Sequence, residues 1–258
     1  MNNDSLELVN SEKYYYFSII SQLPIWIIFF LNLITQNNKD DTFSEPNNHN
    51  YYLPARIFEP CDSCYLIKEQ VWRLASYSLI HIDFNHLFLN SLALLIYSYI
   101  NYFYPSKYLF FIYANGIIIG SLSFIFFNPY GILIGNSGGV YSLVGASLGS
   151  QIINFNCFQK DFNVILILFN ILPIFLSWYH YYVMGSNKNT AEVSHLYGYI
   201  IGLLSSLMIL PRFKECQYHT ILELVGIFGY IGLIIFFCYG YVILPYLDDS
   251  KFKDECCF

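Results

Sequence analysis

Charged residues fall in bursts along this chain, and the stretches between the bursts are apolar. No Asp, Glu, Lys or Arg occurs in 14–38, 84–106, 108–159, 162–187, 193–211 or 224–247. A helix that crosses a bilayer needs roughly 20 apolar residues, so each gap is long enough for one crossing. The gap 108–159 is long enough for two, and Asn128-Pro129-Tyr130-Gly131 divides it at a turn signal. The pattern predicts seven membrane helices, near 16–35, 84–103, 107–127, 137–155, 162–183, 194–210 and 222–246. The one long connection, 36–80, is rich in Asn, Asp, Pro and Tyr and is expected to form an extramembranous subdomain.

Composition points the same way. The 258 residues are 56% hydrophobic, 20% aromatic and only 12% charged, against about 25% charged in soluble domains. The lipid bilayer is therefore the expected surroundings. A net charge of −6 offers no basic surface, which argues against nucleic acid as a partner. Seven cysteines in a chain of this length do not make a disulfide-dense scaffold. Cys61 and Cys64 have no second pair of ligands to make a zinc site, which leaves a local disulfide or free thiols. Neither a metal nor a cofactor is expected. Asp4, Glu7 and Glu12 stand where a signal peptide carries basic residues, which argues against a cleaved leader. Lys and Arg are too evenly divided between alternate loops to fix the orientation.

Alternation of the seven spans puts the beginnings of the second, fourth and sixth on the side of the long loop. The polar residues of the apolar stretches gather at these beginnings. The second span opens with "HIDFNHLFLN", containing His81, His86 and Asn90; the fourth opens at Ser137; the sixth opens with "EVSHLYGYIIG", containing His195. Polar side chains are costly in a membrane and face the bundle interior or a water-filled cavity. Their convergence at one depth is a candidate site. Small residues supply the packing. Gly138, Ser142, Gly145 and Gly149 form one stripe on the fourth span, and Gly198, Gly202 and Ser205 form one on the sixth. Small stripes let membrane helices approach closely, and two that face each other would bring Ser137 and His195 together. His86 and Asn90, four apart, share a face.

The residue types suit acyl transfer. A serine hydroxyl becomes a nucleophile when a base takes its proton, and a neutral imidazole does this near neutral pH. Attack on an amide creates an oxyanion that needs preorganised donors. His86, the Asn90 amide and the backbone N–H of Ser137 are candidates, and Gly135 and Gly138 would let the backbone approach a substrate closely. Gly135-x-Ser137-x-Gly139 also fits the esterase nucleophile elbow, but that motif needs a soluble α/β sheet around it. Alone, Ser137 also fits a plain glycine-rich helix contact, and His195 a structural membrane histidine. His81 fits either a structural hydrogen bond or a role in the site. His180, beside Trp and Tyr, fits an interfacial position.

Together these residues resemble the rhomboid family of intramembrane serine proteases, from about Glu69 to Gly202. "VWRLASYSLIH" resembles that family's Trp-Arg element, here Trp72-Arg73. "HIDFNHLFLN" resembles the His-x-x-x-Asn motif, with His86 and Asn90 in the oxyanion positions and His81 upstream. "GNSGGVYSL" resembles Gly-x-Ser-Gly, with Ser137 as nucleophile and Tyr141 as the ring beside the catalytic histidine. "SHLYGYIIG" resembles His-x-x-Gly-x-x-x-Gly, with His195 as base, Gly198 and Gly202 following. Ser194 stands where the family usually has alanine, and a second glycine often found soon after the histidine is absent.

The resemblance implies an all-α membrane protein, a rhomboid-like six-helix bundle with an additional C-terminal transmembrane helix. The expected organisation is a cytosolic N-terminal tail (1–15), a six-helix catalytic core (16–210) including the outer loop 36–80, a linker and seventh span (211–247), and a C-terminal tail (248–258). The extra helix last, not first, resembles the secretory-pathway rhomboids and implies a plasma-membrane or secretory-pathway location. The implied activity is cleavage of single-span membrane proteins in or near the membrane by a Ser–His dyad. The fifth span, with Pro173 in its middle, would be the gate. The alternative on the same scaffold is a non-catalytic chaperone or trafficking factor. Such pseudoenzymes usually lack the serine or the histidine, and both are present here. A transporter would need repeated broken helices or a charged pathway.

Overall fold

The protein, seen in a computed structural model, is described over residues 12–36, 70–128, 132–155, 160–183, 191–211 and 219–247. These residues form helices and no strand. They are α1 (Glu12–Gln36), α2 (Arg73–Ser76) followed by a 3-10 turn (Tyr77–Leu79), α3 (Phe84–Ile100) and α4 (Ser106–Phe127). Then come α5 (Ser137–Ile153), α6 (Lys160–Val183), α7 (Glu192–Ile209) and α8 (His219–Leu247). All seven helices expected from the charge gaps are present. Most of the outer loop, with Cys61 and Cys64, lies outside the described residues. So do the tip of the α4–α5 turn and the tail 248–258.

Not every helix is a membrane span by length and composition. Tyr16–Ile34 of α1, α4, α7 and Thr220–Val242 of α8 qualify, and α2 with α3 adds a fifth if that pair, bent by 103°, counts as one span. The seven expected spans thus correspond to seven helices, of which four or five are long and apolar enough for a crossing among the described residues. The reason for α5 is its place. It has 17 residues, nearly all buried, and is rich in Gly and Ser. A helix lined by other helices needs no apolar coat. The apolar part of α6 described, Val164–Tyr179, falls short of a full crossing.

The distribution of polarity is that of a membrane protein. Ile20, Leu89, Ile165, Leu168, Phe228 and Ile235 point outward, whereas Ser121, Ser123, Ser142, Ser147, Asn154 and Ser205 are buried. Some of these hydroxyls are tied to backbone. Ser142 Oγ donates to the carbonyls of Ile112 and Gly139 at 3.0 and 2.7 Å, and Ser121 Oγ donates to that of Leu74 at 2.9 Å. On the outside, α1 is clamped to α3 by Gln22 Nε2 to the Ser91 carbonyl and Trp26 Nε1 to Ser91 Oγ, both at 3.1 Å. The helix α8 is held on α4 by Tyr230 donating to Asn115 Oδ1 at 2.7 Å and on α7 by Phe237 packed edge-on to Tyr197.

At the centre, α5 and α7 share the most extensive helix interface. The two small-residue stripes do face each other. A Cβ on Gly198 would meet the Gly138 backbone, on Gly202 that of Ser142, and on Gly145 that of Tyr199. Backbone touches backbone along this seam, which only glycine permits.

Candidate active site

Each beginning of an interior helix contributes one group. Ser137 is the first residue of α5. The hydrogen bonds of that helix start with the amides of Gly139 and Val140 on the Asn136 carbonyl, so the amides of Ser137 and Gly138 precede the helical ladder. The α5–α7 seam sets His195, in the first turn of α7, against it. His195 Nε2 lies 2.9 Å from Ser137 Oγ. Tyr141, one turn into α5, stacks on the imidazole with centroids 4.3 Å apart and planes 10° apart. Its ring thereby fixes the plane in which the imidazole can swing.

The loop before α5 brings α3 to the same place. Gly135 has φ 98°, a left-handed conformation that favours glycine, and its amide donates to the Tyr77 carbonyl at 3.1 Å. A Cβ at this position would sit 2.7 Å from His86 Cε1 and 3.8 Å from Asn90 Nδ2. Both side chains therefore border the ground just before Ser137. Asp83 caps α3 by accepting from the His86 amide at 2.8 Å, which fixes where His86 emerges. His81 is buried and structural in its contacts. Its Nε2 lies 3.0 Å from Asn136 Oδ1 and 3.1 Å from Asn90 Nδ2, and Asn136 Nδ2 in turn donates to the Tyr113 hydroxyl at 3.0 Å. A line of polar groups, Asn90–His81–Asn136–Tyr113, thus joins the start of α3 to the residue preceding Ser137.

The other expected residues fall where the stripes put them. Gly138, Gly198 and Gly202 lie in the α5–α7 seam. Ser194 is fully buried, and its hydroxyl fits because Gly120 and Gly138 carry no Cβ in its way. Arg73 is buried and its Nε donates to Gln70 Oε1 at 2.6 Å, whereas Trp72 is exposed. His180 lies in α6, with its side chain outside the described set.

Two groups were not anticipated. Asn136 is one. The other is Ser177 of α6, whose Oγ lies 3.0 Å from His195 Nδ1. The same helix receives the Tyr141 hydroxyl on the Pro173 carbonyl at 3.3 Å. Pro173 does not break α6. It lacks the N–H that would bond the Phe169 carbonyl, and Tyr97 donates to that carbonyl at 3.5 Å. The signal in the sequence was a spacing. Asn170 and Ser177 are seven apart, hence on one face, and both are buried. Among the described residues, no three His, Cys, Asp or Glu side chains gather into a metal site.

Comparison with known proteins agrees with this architecture. The family model for the Rhomboid domain matches residues 68–212. Rhomboid-related protein 2 of Mus musculus is 25% identical over 191 residues, 71% of this chain and 63% of that protein. Rhomboid-related protein 3 of Mus musculus is 21% identical over 254 residues, 93% of this chain and 62% of that protein. The Caenorhabditis elegans protein named inactive rhomboid-related protein 2 is 23% identical over 154 residues, 59% of this chain and 44% of that protein. The chain thus spans less than two thirds of the length of these relatives. The matched domain holds Ser137, His195, His86 and Asn90, and it covers more than half of the chain: this integral membrane protein belongs to the rhomboid family.

Proposed function

We propose that this protein is an intramembrane serine protease that cleaves single-span membrane proteins in or near their membrane segment. The observation that carries the reading is the 2.9 Å approach of His195 Nε2 to Ser137 Oγ at the mouth of two interlocked helices. In this mechanism Nε2 takes the hydroxyl proton as Oγ attacks the peptide carbonyl. The resulting oxyanion falls toward Gly135, where the His86 imidazole and the Asn90 amide stand, with the Ser137 amide as a further donor. The imidazolium returns its proton to the leaving amine, and water attack on the acyl-enzyme regenerates the serine. His81 serves to hold Asn90, and Tyr141 to hold the imidazole plane. The fifth span expected from the sequence, α6, is the side from which substrate enters. The catalytic face is lumenal or extracellular, in the plasma membrane or a secretory-pathway organelle.

A non-catalytic role on the same scaffold is the second reading, favoured by one observation: a relative carries "inactive" in its name. The retained serine and histidine argue for the enzyme. The experiment is to incubate the purified protein with a generic rhomboid substrate, beside Ser137→Ala and His195→Ala. Cleavage by the wild type alone is expected, together with labelling by a fluorophosphonate that Ser137→Ala abolishes. Cleavage that survives Ser137→Ala would refute the dyad; no cleavage and no labelling by folded wild type would favour the non-catalytic role.

A further inference from the structure

We propose that Ser177 is a positioning residue that holds His195 in the one tautomer able to act as a base toward Ser137, an inference that rests on the protease reading above. A neutral imidazole carries one proton. If it sits on Nε2, that nitrogen donates to Ser137 Oγ and cannot accept from it. If it sits on Nδ1, the lone pair of Nε2 faces the serine hydroxyl. The dyad works only in the second state, and among the described residues no carboxylate is bonded to Nδ1 to enforce it. The partner there is the neutral hydroxyl of Ser177, at 3.0 Å.

A hydroxyl can donate or accept, so its direction must be set from behind. Proton bookkeeping sets it. A carbonyl oxygen only accepts, and Tyr141 reaches the Pro173 carbonyl at 3.3 Å, which commits the phenolic proton to that bond. The phenolic oxygen is then left to accept, and the Ser177 hydroxyl stands beside it. A serine within a helix often turns its hydroxyl to the carbonyl four residues back, for Ser177 that of Pro173, which has a second lone pair besides the one that serves Tyr141. Donation to this carbonyl or to the Tyr141 oxygen turns the Ser177 proton away from the imidazole, and the serine oxygen has lone pairs free for His195 Nδ1–H. The line runs from His195 Nδ1–H to Ser177 and on to the Tyr141–Pro173 pair, every donor pointing away from the imidazole. Tyr141 thus does more than stack.

The placement of Ser177 supports a role in the site. It is 8% exposed, while its neighbours Phe175, Leu176 and Trp178 on α6 are all more than half exposed. It is the point at which a helix with an outward apolar face turns a hydroxyl inward. The same bonds make the state of His195 depend on α6 being seated, since Ser177 and the Pro173 carbonyl both belong to that helix.

The test compares Ser177→Ala, Ser177→Thr and Tyr141→Phe in the full-length protein. Loss of a hydrogen bond to a group that becomes charged is expected to lower kcat about 10–100-fold in Ser177→Ala, with KM and thermal stability near wild type. Ser177→Thr, which keeps the hydroxyl, should recover most of the rate. Tyr141→Phe keeps the stacked ring and removes one of the two acceptors behind Ser177, so it should lower kcat in the same sense but by less, and the double variant should lose less than the product of the two. An unchanged kcat in Ser177→Ala would overturn the proposal, as would a folded Ser177→Thr no faster than Ser177→Ala. If the wild type cleaves nothing, the protease reading is what fails. Nitrogen NMR of labelled His195, which needs no substrate, then judges Ser177 separately. A protonated Nδ1 in wild type that becomes a tautomer mixture in Ser177→Ala supports the proposal, and a protonated Nε2 in wild type overturns it.

Discussion

Replacing Gly202 by alanine adds one methyl group at the place where α5 and α7 touch backbone to backbone. The added Cβ would lie 2.6 Å from the Ser142 Cα and nearer still to its carbonyl oxygen, where ordinary contact begins at 3.4 Å. The obstacle is the spine of a helix and cannot rotate away as a side chain can. To restore contact distance α7 must retreat from α5 by about 1 Å, and overpacking of this kind costs about 1–3 kcal/mol. The retreat also parts the two groups at the top of the seam. Ser137 and His195 stand on those helices at 2.9 Å, and a further ångström takes them out of hydrogen-bonding range. Misplacement by ~1 Å is worth about 10²-fold in rate. Gly202→Ala should therefore unfold at lower temperature in detergent and lose about two orders of magnitude in kcat, and Gly202→Leu should be worse on both counts. The control is Gly232→Ala on α8, where an added Cβ meets nothing within 4 Å; it should match wild type in both assays. A Gly202→Ala protein with wild-type stability and wild-type kcat would refute the wedge argument.

Three further outcomes follow from the site and the topology. His86→Ala and Asn90→Ala should each lower kcat more than they raise KM, by about 10²–10³ if each removes one oxyanion donor; steady-state kinetics with kcat unchanged in both would put the donors elsewhere. Gly135→Ala combines a left-handed φ with a clash on the His86 ring, so it should reduce kcat while α5 and α7 stay packed, and a fully active Gly135→Ala would show that the loop can refold around a side chain. Glycosylation sequons engineered into 40–50 should be modified in a secretory-pathway host, whereas modification of a sequon near residue 5 would invert the orientation.

Much of this was legible because membrane folding leaves coarse marks. The charge gaps gave seven helices, all of which are present, because one charge in the bilayer costs more than any local propensity. Gly138, Ser142, Gly145, Gly198 and Gly202 announced a close seam because small residues at helical spacing have few other uses in lipid. What stayed hidden was the setting of each helix about its own axis. Ser177 lies in "IFLSWYHYY", where a lone hydroxyl among aromatic residues forms no motif, and only the burial of α6 on one side turns it toward His195. Asn136 stands in the sequence among glycines, yet its side chain links His81 to Tyr113, contacts between segments 55 and 23 residues apart. Among the described residues α5 falls short of the length and apolarity of an ordinary span because, buried along nearly its whole length, it need not be apolar.

The division of the Ser137–His195 pair between two helices also bears on how the molecule is made. The two residues are 58 positions apart, so a ribosome adding about 5–20 residues per second finishes the serine roughly 3–12 s before the histidine. During that interval α5 can enter the bilayer with its hydroxyl in place and without the His195 imidazole that the proposed mechanism uses to take its proton. The seam that aligns the pair is backbone against backbone, and it does not exist until α7 has inserted and docked. On the proposed mechanism the nascent chain is chemically silent while it is threaded among other membrane segments, and the last interior helix to arrive arms the site.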